Sequence, residues 1–263
     1  MAPRHRVFFS LLCVGYGIAL FYGQLQWSAA LAVGLLLVAG LCVRLSEHKS
    51  IRLLGHAIFI VTGIALASHW LPGFNSAQVY DAARFSPDAA PFSMNLNLDK
   101  PLIGFWLLLF CPWMLPTVGL ARSLKIASLA LIMTSVLCMS LAAVLGVTGW
   151  AVKWPEHGIL WLLNNLLLVS LTEELFFRVY LQGALQQIFN RLWFGGALAI
   201  GIAAMLFGLA HVGSGWEWVL LASLAGTGYG IAYRFGGLQA ALITHFGLNL
   251  VHFGLFTYPM LDR

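Results

Sequence analysis

Apolar runs long enough to cross a bilayer follow one another almost without interruption along this chain, and they constrain its fold more than any other feature. Backbone polar groups in lipid must be satisfied within the segment, so consecutive runs of about 20 apolar residues commit to helices. Charged residues make up 9% of the 263 positions and hydrophobic residues 60%, against about 25% charge in a soluble domain. Mean hydropathy is +0.87. The length holds roughly seven to nine spans and leaves little for a soluble domain. The expectation is all-α: a polytopic transmembrane helical bundle of about eight or nine helices, with 1–263 as a single integral-membrane domain.

The net charge of +5 does not read as nucleic-acid affinity, because the basic residues are scattered at segment ends without a patch or stripe. Arg4, Arg6, Arg44, Lys49, Arg52, Arg122, Lys125, Arg191 and Arg234 instead follow the positive-inside pattern and mark cytoplasmic ends. The start, MAPRHR followed by VFFSLLCVGYGIALF, has the pattern of a signal peptide, but the many later spans favour an uncleaved first helix. Cys13, Cys42, Cys111 and Cys138 lie in apolar runs without metal-ligand spacing. Small buried hydrophobes are the expectation, not disulfides.

Spans are expected at about 7–21, 29–43, 53–71, 102–115 and 126–147. Pro101 suits a first helical turn, and Pro112 and Pro116 shorten or break the fourth span. The segment 72–99 is polar and is expected to be the one long loop, on the outer face, either a substrate lid or an ordinary connection. After an interfacial connection holding Trp150 and Trp154, one long or kinked helix is expected over about 159–187, then spans at 194–211, 219–233 and 238–256. Ala222, Gly226 and Gly230 place small residues every four positions, a pattern that lets helices approach closely.

Three polar clusters interrupt the last apolar runs. They are Glu173-Glu174 with Arg178, His211 with Phe207 four before it, and His245 with Asn249. Ionisable groups at membrane depth are costly and mark functional sites by default. Residues four apart share a helix face, so Glu174 and Arg178 are suited to an ion pair. Glu173 points about 100° away and is freer to act as a base. His245 and Asn249 face one cavity. A base, two imidazoles and an amide suit peptide hydrolysis: Glu173 and His211 for the water, His245 and Asn249 for the oxyanion. His56, His69, His157 and His252 read as packing or hydrogen-bonding residues.

These three blocks, intact and in order over about 160–256, resemble the CAAX-protease and bacteriocin-processing family, also called CPBP or Abi. The resemblance implies about eight membrane helices, a polar cavity opening to the membrane or cytosol, and a CAAX-protease-like catalytic core over 160–256. It implies that Glu173 and His211 hold the catalytic water and that His245 and Asn249 form the oxyanion side. Glu174, Arg178 and Phe207 are the supporting residues. The type II CAAX prenyl endopeptidase relationship further implies a glutamate intramembrane protease acting on a membrane-anchored protein or peptide, either prenylated or a bacterial leader or sorting tail.

No obligatory metal is expected. Zinc on His211, His245 and Glu173 is the alternative, although no HExxH pattern is present. The polar outer loop and short basic N-terminus point to a bacterial inner membrane. Two other classes remain open: a transporter or channel lined by the same ionisable groups, and a non-catalytic immunity or scaffold protein.

Overall fold

The computed structural model describes residues 3–111 and 118–262. It is a helical molecule with one small sheet. We number the helices α1 (Pro3–Phe21), α2 (Ala29–Leu45), α3 (Lys49–Ala67), α4 (Pro101–Phe110), α5 (Leu120–Val144), α6 (Gly158–Ile188), α7 (Gly195–Leu209) and α8 (Trp216–Leu255). Four of them, α3, α5, α6 and α8, are long and apolar enough to cross a membrane. Many large apolar side chains on these helices are exposed, among them Val61, Leu129, Ile132 and Leu137. Surface of this kind is suited to a lipid solvent. These helices support an integral membrane protein.

The chain forms two compact units. The first comprises Met1–Gln78 and Asn95–Trp113, and the second Val79–Met94 and Met114–Arg263. In the first unit, α2 and α3 pack closely because Gly55 lacks a side chain: a Cβ there would lie 2.8 Å from the Ala39 carbonyl oxygen. Phe59 of α3 stacks on Trp106 of α4 at 3.8 Å. The Trp106 indole donates to the Leu36 carbonyl, satisfying the polar handle of a buried ring. Pro101 occupies the first turn of α4, as its fixed φ favours. The second half of the expected fourth span, with Pro112 and Pro116, lies outside the described residues.

In the second unit α8 is two helices joined at Gly237, whose φ of 75° and ψ of −172° leave the helical region. In a straight helix Tyr229 and His245 would be about 24 Å apart. Their rings instead stack at 4.4 Å, so the arms 216–236 and 238–255 double back on each other. The two spans expected at 219–233 and 238–256 are therefore the two arms of one hairpin. Helix α6 runs antiparallel to the second arm: Trp161 stacks on Phe253 at 3.8 Å, and Asn165 meets Asn249. Helix α7 runs antiparallel to the first arm. A Cβ on Gly226 would touch Ala204, and one on Gly230 would touch Ile200 and Gln182. The small-residue stripe thus sets the spacing of α7 and α8, as the four-residue spacing anticipated.

The segment expected to be an irregular loop contains two paired strands, β1 (Ala77–Ala83) and β2 (Phe92–Leu96). Tyr80 and Met94 point inward and pack with Trp161 and Phe253. In β2 burial alternates, with Ser93 and Asn95 exposed on either side of Met94, whereas in β1 Val79 packs beside Tyr80 and Asp81 is exposed. In the second unit the segment is tied down by a hydrogen bond from the Tyr80 hydroxyl to the Glu156 carbonyl. Ala90 N–H donates to the Met260 carbonyl, and Arg84 pairs with Asp262. All four cysteines are free. Cys111 and Cys138 are buried, whereas Cys13 is exposed, contrary to the expectation that each fills a core position.

Candidate active site

Glu173 and Glu174 sit near the middle of α6, and the helix is wide there. Residues Asn164–Ser170 and Leu175–Gln182 are π-helical on either side of a short α-helical turn, Leu171–Glu174. Such turns recur at functional sites because the altered phase re-aims side chains. Ser170 Oγ donates to Asn165 Oδ1 five residues earlier, across the first wide turn.

Glu174 is fully buried between two cations or donors. Arg178 Nε donates to its Oε2 at 3.2 Å, and His245 Nδ1 lies 2.8 Å from its Oε1. Since a carboxylate only accepts, Nδ1 carries the proton. The other face of the same imidazole looks at Glu173, with Nε2 3.8 Å from Oε2. That separation is too long for a direct hydrogen bond. His245 therefore stands between the two acids, held by one and presented to the other. The Arg178 guanidinium is also fully buried. Among the described residues its Nη atoms have no hydrogen-bond partner, and it lies over the rings of Phe207 and Tyr229 at 5.3 and 5.8 Å. Cation–π attraction offsets part of the cost of that burial.

His211 follows the end of α7. Its Nδ1 is 2.9 Å from the Phe207 carbonyl. A carbonyl only accepts, so the hydrogen bond fixes the proton on Nδ1 and leaves Nε2 of the neutral ring as an acceptor. Phe207 itself is buried and meets the His245 ring edge-on at 5.7 Å. It serves as a spacer between the two imidazoles.

Glu173, His211, His245 and Asn249 all line one cavity of about 260 Å³, together with Asn165 and His252. The fold thus brings the four residues expected to be catalytic to a common space, with the three supporting residues around it. Asn249 Nδ2 donates to Asn165 Oδ1, the same oxygen that accepts from Ser170, which fixes the orientation of both amides. His252 lines the cavity while its Nε2 is 3.2 Å from the Thr257 carbonyl. At the end of the cavity lined by Thr148, Tyr258 and Pro259, the connection back to α6 carries Lys153. Burial pushes its ammonium down to about 8, and Asp88 partly opposes that shift. Burial also pushes the Tyr258 hydroxyl up to about 12.

Three participants were not singled out by sequence as site residues: Asn165, Ser170 and Tyr229. Asn165 had a signal, an amide in an apolar run about two turns from the start of its helix. Tyr229 had none, because an aromatic residue in a membrane helix is ordinarily packing. Among the described residues no group of three or more His, Cys, Asp or Glu side chains is arranged to hold a metal ion.

Residues 155–251 match the family model described as type II CAAX prenyl endopeptidase Rce1-like. The matched segment contains all three motif blocks, so the match bears out the resemblance read from them. It supports a membrane protease of the CAAX type in general. Among curated proteins and among solved structures, nothing matches the chain.

Proposed function

We propose that the protein is an intramembrane endopeptidase in which Glu173 activates a water against a peptide bond of a membrane-anchored substrate. The observation that carries this reading is the convergence of Glu173, His211, His245 and Asn249 on one buried cavity. Glu173 is the general base, and the acceptor Nε2 of His211 orients the same water. The water oxygen bonds to the scissile carbonyl carbon as its proton passes to Glu173. The carbonyl oxygen becomes an oxyanion. The second N–H of Asn249 and a proton on His245 Nε2 donate to it. Because Nδ1 of His245 already carries a proton, that donation uses the imidazolium form, and Glu174 lies where it compensates the charge. Collapse of the intermediate breaks the C–N bond, and Glu173 returns its proton to the leaving amine. No step passes through a metal.

Substrate and roles are tested together by reconstituting the protein with membrane-anchored peptides, one of them prenylated, and identifying products by mass spectrometry. Glu173→Gln keeps size and loses the base. It is expected to lower turnover by about 10²–10⁴-fold with unchanged thermal stability. Asn249→Ala removes one oxyanion donor and is expected to cost about 10²–10³-fold. Chelator is expected to leave the rate unchanged. Normal cleavage by folded Glu173→Gln protein would sink the mechanism. Solute transport without cleavage of any peptide would replace it with the transporter reading.

A further inference from the structure

The turn joining α2 to α3 builds a basic pocket that peptide hydrolysis does not use. Its cavity, about 480 Å³, is lined by Val43 and Arg44 at the end of α2 and by Lys49, Arg52, Leu53 and His56 at the start of α3. Among the described residues, Arg44, Lys49 and Arg52 form no ion pair. Glu47, the carboxylate in the turn, is exposed, and among the described residues it forms no ion pair with them.

The placement of these cations is unfavourable on its own. Lys49 and Arg52 occupy the first turn of α3, which has no acidic residue, and His48 makes no side-chain cap. A helix N-terminus carries partial positive charge and unpaired N–H groups, so cations there oppose the helix dipole and an anion relieves both. The surroundings narrow the anion further. Leu53 lines the pocket, and it and Leu41, Leu45 and Leu54, close in sequence on the same two helix ends, are each more than half exposed, giving apolar surface for acyl chains near cationic groups. Basic pockets between membrane helices are suited to phosphate headgroups. A phosphate ester is the shared chemistry. The exposed leucines favour a lipid over a soluble phosphate compound.

We propose that this pocket binds the headgroup of an anionic phospholipid, with Arg44, Lys49 and Arg52 around the phosphate and the acyl chains along the exposed leucines. The full-length protein in detergent is titrated with phosphatidylglycerol or phosphatidylcholine, and bound lipid is counted by native mass spectrometry. Phosphatidylglycerol is expected to bind more tightly than phosphatidylcholine. Its affinity should fall roughly fivefold for each charge removed in Arg44→Gln, Lys49→Gln and Arg52→Gln, taken singly and together. Phosphatidylcholine binding should be the same in every variant, which also reports that each is folded. The single variants carry the test if the triple variant does not fold. Equal binding of the two lipids, or phosphatidylglycerol affinity untouched by all three substitutions, would overturn the proposal. Displacement of the lipid by an equal concentration of glycerol 3-phosphate would reassign the pocket to a soluble phosphate and overturn it likewise.

Discussion

At the scale of single residues, the site is organised around His245. Two adjacent acids on one helix cannot face the same way, and the roughly 100° between them puts Glu174 behind the imidazole and Glu173 in front of it. Glu174 is more than Arg178's counter-ion, because its second oxygen accepts from His245. Removing either member of the pair leaves a charge stranded in a dry interior. Arg178→Ala or Glu174→Gln is therefore expected to destabilise the protein by about 3–5 kcal/mol and to lower turnover as His245 loses its support. Thermal unfolding in detergent alongside peptide cleavage checks this, with Glu173→Gln as the variant that loses turnover alone. Full stability and full cleavage in both pair variants would remove the ion pair from the account.

At the scale of elements, spacing made the motif blocks legible and topology hid how they meet. Glu174 with Arg178 and His245 with Asn249 each sit four apart within one helix, and Phe207 sits four before His211, which lies just past the end of α7. The bond between Glu174 and His245 spans 71 residues, and no local pattern encodes it. The strands are not legible in the sequence because β1 and β2 are short and lie among prolines and polar residues, while Tyr80 and Met94 gain an inward side only against Trp161 and Phe253. The turn in α8 was visible as paired glycines, but which of them bends the chain was not. Gly237 occupies a backbone region essentially closed to other residues, and a Cβ there would sit 3.0 Å from Val118 Cγ2. Gly237→Ala is expected to cost about 1–3 kcal/mol, whereas Gly201→Ala, in open space on α7, should cost little. Equal melting temperatures for the two variants would show that the hairpin does not depend on that conformation.

At the scale of the whole molecule, the second unit has two chemically different ends. Arg122 Nε donates to the Phe235 carbonyl, and the Arg234 guanidinium lies against Gly196. The starts of α5 and α7 and the bend of α8 therefore share one end, where Lys125 and Arg191 also fall. The opposite end carries Trp150 and Trp154, both exposed and suited to a membrane interface, together with the Tyr80–Glu156 contact that anchors the β segment. The positive-inside pattern predicts that the basic end is cytoplasmic. The cavity reaches from Glu173 toward Thr148, Tyr258 and Pro259, away from the basic end. On this orientation the end of the cavity lined by Thr148, Tyr258 and Pro259 is expected to face outward, whereas the resemblance implies a cavity opening to membrane or cytosol. Ala121 and Val152 are both exposed and lie at opposite ends, so cysteines placed there report the orientation. In intact cells a charged maleimide is expected to modify Val152→Cys and spare Ala121→Cys, and inverted vesicles should reverse the pattern. Labelling of both from one side would deny that the two ends face opposite compartments. The expected pattern in reverse would place the Thr148–Tyr258 end of the cavity on the cytosolic side, the side on which the resemblance implies that a prenylated C-terminus is met.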